Sequence, residues 1–213
     1  TPAQASQFTA DLCRLAPVIP VLVIHDPAHA RPLATALIAG GLPVLEVTLR
    51  TPAALEVIAE MADVAGGIVG AGTLLTPEDV LAATRAGARF GVTPGSTPRI
   101  LDAVEAADLP TLPGAATPTE VLALYERGYR VQKFFPAEVN GGVPALKAIG
   151  APIPQVSFCP TGGVSPANAP AYLALKNVMC VGGSWVAPAD LMAKGDWDAI
   201  TDLARAAAAL PRA

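Results

Sequence analysis

Charge is scarce in this chain. Of its 213 residues, 15% are Asp, Glu, Lys or Arg and 52% are hydrophobic, and the formal net charge is −4. Such a balance argues against a nucleic-acid partner, which needs a basic face, but leaves room for small anions, which need only local positive charge. No run of about 18 apolar residues occurs, so no membrane span is expected. The opening TPAQASQFTADLCRLAP has no basic segment followed by an apolar block, so it is not a secretory signal. It reads instead as an amphipathic helix carrying Phe8, Leu12 and Leu15. Cysteines are few: Cys13, Cys159 and Cys180 are far apart, odd in number and without a CxxC. They read as reduced thiols of a cytoplasmic protein. The two histidines, His25 and His29 in HDPAHA, have no third partner nearby, so a zinc site is not expected. Nothing in the chain looks like a linker or a low-complexity stretch, and residues 1–213 read as one domain.

What the chain does have is a repeated unit. A hydroxyl residue precedes proline at Thr51-Pro52, Thr76-Pro77, Thr97-Pro98, Thr117-Pro118 and Ser165-Pro166, at intervals of 25, 21, 20 and 48 residues. Each pair suits a helix start, with the side chain capping free N–H groups and proline in the first turn. TPTE at 117–120 adds the glutamate of a capping box. Glycines at 40–41, 87 and 128 suit helix ends. Short apolar runs rich in β-branched residues alternate with these helices: 17–24, 43–49, 67–72, 88–93, 109–114, 130–136, 155–160 and 178–183. Eight strand–helix units predict an α/β fold, a (β/α)8 TIM barrel with an extra N-terminal helix. A doubly wound open sheet is the runner-up, and it does not explain eight similar units.

In such a barrel helices cover one face of each strand, and the other face packs the interior. In VLEVTLR (44–50) Leu45, Val47 and Leu49 then meet the helices, while Glu46, Thr48 and Arg50 point inward. Buried charges cost several kcal/mol unless paired, which favours a functional role. Lys133 poses the same question. The chain has four lysines; Lys147, Lys176 and Lys194 fall in helical or turn stretches, but Lys133 is mid-strand in RVQKFFP. Desolvation there favours the neutral amine, a nucleophile for carbonyl carbon. The bland alternative is a lysine buried only to pair with Glu46 or another acid. Glycine pairs in PTGGVSP (160–166) and VGGSW (181–185) follow the last two strands, where barrels commonly hold phosphate, and Ser184 adds a hydroxyl. Glu46, Arg50, Lys133, Thr73 and a phosphate nest suit a phosphorylated keto acid: Lys133 forms a Schiff base, Glu46 moves protons, and Arg50 with Thr73 holds a carboxylate.

LEVTLRT (45–51), GAGT (70–73), FFPAE (134–138), NGG (140–142), CPTGG (159–163), SPAN (165–168) and GGSW (182–185) together resemble the 2-keto-3-deoxy-6-phosphogluconate (KDPG) aldolase / 4-hydroxy-2-oxoglutarate (KHG) aldolase family. The resemblance runs from PVIPVLVI onward. It implies a class I aldolase on a (β/α)8 barrel, a homotrimer, with no metal and no cofactor. It implies Lys133 as the Schiff-base lysine, Glu46 as general acid/base, and Arg50 and Thr73 as contacts to the pyruvate carboxylate. It further implies Pro94, Phe135 and Thr161 around the carbinolamine, and Gly162, Gly163 and Ser184 at the phosphate. The implied reaction splits KDPG to pyruvate and glyceraldehyde 3-phosphate in the Entner–Doudoroff pathway, with cleavage of 4-hydroxy-2-oxoglutarate to pyruvate and glyoxylate as a companion. Thr93 and Gln132 depart from the family pattern without removing a catalytic group. Two alternative activities reuse these residues: an aldolase for the galactonate epimer, and a phosphate-binding barrel isomerase with Glu46 as base and no imine. A non-catalytic sugar-phosphate or keto-acid binding protein is a third.

Overall fold

The computed structural model describes residues 1–213. Each expected strand is present: β1 (Val18–Leu22), β2 (Val44–Thr48), β3 (Ile68–Gly72), β4 (Gly91–Val92), β5 (Thr111–Leu112), β6 (Gly114–Ala115), β7 (Val131–Phe134), β8 (Ser157–Pro160) and β9 (Val181–Gly183). The fifth run is split in two at Pro113, which has no N–H to give. Every pairing is parallel, and the sheet curls. The hydrogen-bonded order is β5-β4-β3-β2-β1-β9 in one piece and β6-β7-β8 in the other. Single parallel bridges, Phe158 to Val178 and Thr161 to Gly182, join the β8 and β9 ends. No helix of the molecule is long and apolar enough to cross a membrane.

Three of the hydroxyl–proline pairs start helices as the sequence predicts. Thr76, Thr97 and Thr117 accept the N–H of Asp79, Ile100 and Glu120 at 3.1, 3.4 and 3.3 Å. Thr51 and Ser165 do not. The helix after Thr51 spans Ala54–Ala62, and the Thr51 hydroxyl donates to the Ile24 carbonyl at 2.6 Å instead. The helix after Ser165 is Ala169–Leu173, and the Asn168 side chain accepts the Ser165 N–H at 2.7 Å. At Thr51 a contact outside the helix takes the hydroxyl; at Ser165 the bond formed is to its N–H, and the serine hydroxyl makes no cap.

The curl creates two cores. Fifty buried residues, among them Leu45, Val47, Val57, Ile58, Phe134 and Phe158, fill the layer between the strands and the outer helices. Eleven more, including Ile19, Val44, Phe90, Leu112, Val131, Cys159 and Cys180, pack on the inner side. The helix Pro2–Leu15 seals this inner cluster through Ala10, Leu12 and Cys13. Its buried side differs from expectation: Leu15 is 52% exposed, whereas Ser6 and Thr9 are buried. Small residues let the helix approach closely, and the Ser6 hydroxyl oxygen accepts the N–H groups of Arg130 at 2.7 Å and Val131 at 3.0 Å. Those N–H groups open the strand that carries Lys133.

Candidate active site

Alternation along each strand carries the inner face from apolar to polar within two residues. On β2 Val44 gives way to Glu46; on β7 Val131 gives way to Lys133. Glu46 and Lys133 are 3% and 4% exposed, against exposed positions for Lys147, Lys176 and Lys194. Strands β2 and β7 do not pair, so the contact between Lys133 Nζ and Glu46 Oε1, at 3.2 Å, crosses the interior of the curled sheet. The ammonium donates and the carboxylate accepts. Nζ also stands 5.2 Å from the centroid of the Phe135 ring. Gly72 on the adjacent strand is needed for this pair: a Cβ there would lie 2.7 Å from Glu46 Cγ and closer still to its carboxylate. Thr48 turns out to be a brace, its hydroxyl donating to the Leu22 carbonyl at 2.9 Å.

Next to the pair is a cleft of about 260 Å³, lined by Val21, Val23, Arg50, Phe135, Thr161, Gly162, Gly163, Val164, Gly182 and Ser184; Lys133 and Glu46 are not in its lining, and Phe135 borders both the pair and the cleft. Arg50 Nε donates to the Thr73 hydroxyl at 3.3 Å. Thr73 sits at φ 60°, left-handed backbone that a β-branched residue adopts at a cost and that clusters at functional sites. Pro94 is not in the lining; it lies over Gly114, where a Cβ would come within 2.5 Å of it. Val21 and Val23 escape sequence reasoning because every position of β1 is apolar, so alternation gives no face. The register, with Val21 opposite Glu46, supplies it.

The two glycine pairs differ. Gly162 and Gly163 form a turn with φ of 99° and 78°. Gly182 and Gly183 are strand residues, where a Cβ would run into Thr161 at one and the Trp185 ring at the other. The second pair therefore serves close packing, and its expected role as a loop nest is corrected. The N–H groups of Gly162, Gly163, Val164 and Ser184 donate to no acceptor within the protein. Four free donors at one rim make a cradle for an anion. The helices that follow, Ala169–Leu173 and Ala189–Lys194, are too short to add much of a dipole. A larger cleft, about 340 Å³, lies between the N-terminal helix, Glu105 and Tyr129 and holds none of these residues.

Comparison with known proteins points one way. Residues 9–203 match the family model described as KDPG and KHG aldolase. The 2-dehydro-3-deoxy-phosphogluconate aldolase of Pseudoalteromonas atlantica is 52% identical over 200 residues, 93% of each chain. Among solved structures, the 2-keto-3-deoxy-6-phosphogluconate aldolase of Zymomonas mobilis ZM4 with 3-phosphoglycerate superposes with a TM-score of 0.93 at 49% identity, covering 98% of both chains. The KDPG aldolase of Legionella pneumophila, with pyruvate captured as a covalent carbinolamine intermediate, gives a TM-score of 0.90 at 44% identity over 94% of this chain and 98% of that one.

Proposed function

The chain belongs to the KDPG and KHG aldolase family, and on that premise we propose that it is a class I lyase that cleaves KDPG to pyruvate and glyceraldehyde 3-phosphate, with Lys133 as its Schiff-base residue. The observation that carries this reading is the buried contact of Lys133 with Glu46 at 3.2 Å, separated from the cleft by Phe135. Moving one proton across it leaves a free amine and a protonated acid, so the pair holds both a nucleophile and a proton donor. The amine adds to the C2 ketone, and water leaves to give an iminium. Glu46, ionised again, takes the proton of the C4 hydroxyl as the C3–C4 bond breaks. The bonding pair enters the iminium as an enamine, and the aldehyde departs. Glu46 returns its proton to C3, and water hydrolyses the new iminium to pyruvate and the free lysine.

Arg50, oriented by Thr73, holds the pyruvate carboxylate. Phe135 and Thr161 close the sides of the carbinolamine site, with Pro94 at its edge. Gly162, Gly163 and Ser184 receive the phosphate through their free N–H groups. The test is mass spectrometry after pyruvate and borohydride, with peptide mapping. A reduced adduct on Lys133 is expected. No adduct on a folded protein that still binds pyruvate, or an adduct on another lysine, overturns the reading.

Three further parts belong to the same proposal. The sheet closes as a single-domain (β/α)8 barrel over residues 1–213, with Pro2–Leu15 as the extra helix: β5 and β6 are successive halves of one run, and the bridges join β8 to β9. The family resemblance implies a homotrimer, to be weighed by light scattering. A cytoplasmic location fits three free thiols.

A further inference from the structure

Two motif fragments, NGG (140–142) and SPAN (165–168), have no part in the chemistry above, and Gly142 of one and Asn168 of the other meet the surroundings of the Gly162–Gly163 turn. The turn rests on the chain that leaves β7: the N–H of Ala137 donates to the Thr161 carbonyl at 2.8 Å and that of Glu138 to the Gly162 carbonyl at 3.1 Å. The buried Tyr172, on the helix that follows the turn, donates its hydroxyl to Glu138 Oε1. Two glycines make room for that contact. At Gly163, φ 78°, a Cβ would come within 2.6 Å of Glu138 Cγ. At Gly142, φ 56°, it would stand 3.0 Å from the Tyr172 hydroxyl and 3.2 Å from Glu138 Oε1. Asn168 ties the far side, donating to the Gly163 carbonyl at 3.0 Å.

We propose that Glu138 and Tyr172 are positioning residues that clamp the Gly162–Gly163 turn to the end of the Lys133 strand and so select substrates that carry a phosphate at the right distance from the imine. The inference rests on the function proposed above. Lys133 and Glu138 belong to one short segment, 133–138, so whatever fixes the turn to Glu138 also fixes the span from Nζ to the free N–H groups. Without the tether the turn keeps its main-chain bonds but loses the side-chain contact that sets its height. Burial, and then the neighbouring carboxylate, push the Tyr172 phenol well above its usual range, so it stays a donor at any physiological pH.

The experiment compares Tyr172→Phe, Glu138→Ala and Glu138→Gln in the full-length chain. Two readouts are used: KM for KDPG, which bears the phosphate, and the rate of borohydride-trapped adduct with pyruvate, which does not. Tyr172→Phe and Glu138→Ala should raise KM about ten- to a hundredfold, the worth of a hydrogen bond to a charged group, and leave pyruvate trapping unchanged. Glu138→Gln keeps an oxygen for the Tyr172 proton but not its charge, and its KM should lie between the parent and Glu138→Ala, about five- to tenfold above the parent. Unchanged KM in Tyr172→Phe overturns the clamp. So does a parallel fall in pyruvate trapping, which marks a general structural role. A parent protein that traps no pyruvate at all overturns the aldolase reading itself, a separate result from either.

Discussion

The two ends of the curled sheet are built on opposite terms, although the same strands supply both. At the base, eight buried residues pack against Ala10, Leu12 and Cys13 of the N-terminal helix, and Ser6 and Thr9 of that helix are satisfied by backbone. Ser6 accepts two N–H groups, and Thr9 donates to the Ser6 carbonyl at 3.1 Å. Hydrogen bonding with Cys13 and Cys159, and then burial, hold the Cys180 thiol above its usual range, so it stays protonated and unreactive. At the mouth, two charges are buried against each other, Thr73 is left-handed, and four N–H groups have no acceptor in the protein. A single pair of positions separates the regimes on β2 and β7. A rigid, satisfied base lets the mouth hold groups that a free-energy minimum alone would not choose.

The sharpest way to break this contrast is at Lys133. Lys133→Met should abolish pyruvate adduct formation and cleavage, the largest effect expected anywhere in the chain. It also leaves Glu46 buried without its partner, so a loss of about 3–5 kcal/mol in denaturant stability accompanies it. Adding Glu46→Leu should return stability to the parent level or above, since apolar replacement of a buried pair is often neutral or stabilising by about 1–4 kcal/mol. An inactive double variant as stable as the parent would establish that the mouth serves chemistry. A double variant as unstable as the single one would make the pair a structural element, the bland alternative.

Next in size is Glu46→Gln. Removing the proton carrier should lower kcat by about 10²- to 10⁴-fold, the usual range for general acid–base catalysis, while pyruvate trapping persists. If trapping disappears with turnover, the carboxylate's main task is to prepare Lys133 rather than to move the substrate proton. At the base the pattern should reverse. Ser6→Ala orphans the buried N–H of Val131 and the part-buried N–H of Arg130 and should cost about 1–3 kcal/mol of stability. Its kcat, measured well below the melting temperature, should match the parent's. A loss of turnover in folded Ser6→Ala would mean that the base tunes Lys133 and does not merely support it.

How much of this was legible follows the same division. Strands, inner faces and the inward placement of Lys133 and Glu46 were readable, because a charge at an inward position of a covered strand is conspicuous by itself; that the two meet was not. Three helix starts were readable because a threonine cap is local. Thr51 and Ser165 follow the same pattern yet fail: Ile24 claims the Thr51 hydroxyl, and after Ser165 the helix starts only at Ala169, with Asn168 bonding the Ser165 N–H. Leu15 misleads because the N-terminal helix packs by small polar residues, and the partners of Ser6 are N–H groups more than a hundred residues away. The second glycine pair misleads for a related reason: what crowds Gly183 is the Trp185 ring, and nothing in the local pattern says that Gly182 pairs with Thr161. The Glu138–Tyr172 contact joins residues 34 apart, and no periodicity announces it.

The smallest expected effect tests whether everything at the mouth end belongs to the chemistry. Helix Pro118–Arg127 follows β6, so its N-terminus lies at the mouth end, and Glu120 closes its capping box. The N–H of Ala116, first, and the hydroxyl and N–H of Thr117 hold the Glu120 carboxyl below its unfolded value of 4.5, against a smaller opposing effect of burial. A depressed folded-state value means stabilisation that is complete above pH 4.5 and is lost as pH falls through the lower native value. For an exposed cap the contribution is about 0.5–1 kcal/mol. The stability gap between the parent and Glu120→Gln, measured by urea unfolding, should therefore be open at pH 7 and close as the solution is acidified below pH 4.5, with kcat unchanged at pH 7. A gap that persists in acid would assign the effect to geometry rather than charge. A fall in kcat would extend the functional region beyond the cleft, to the helix starts that surround it.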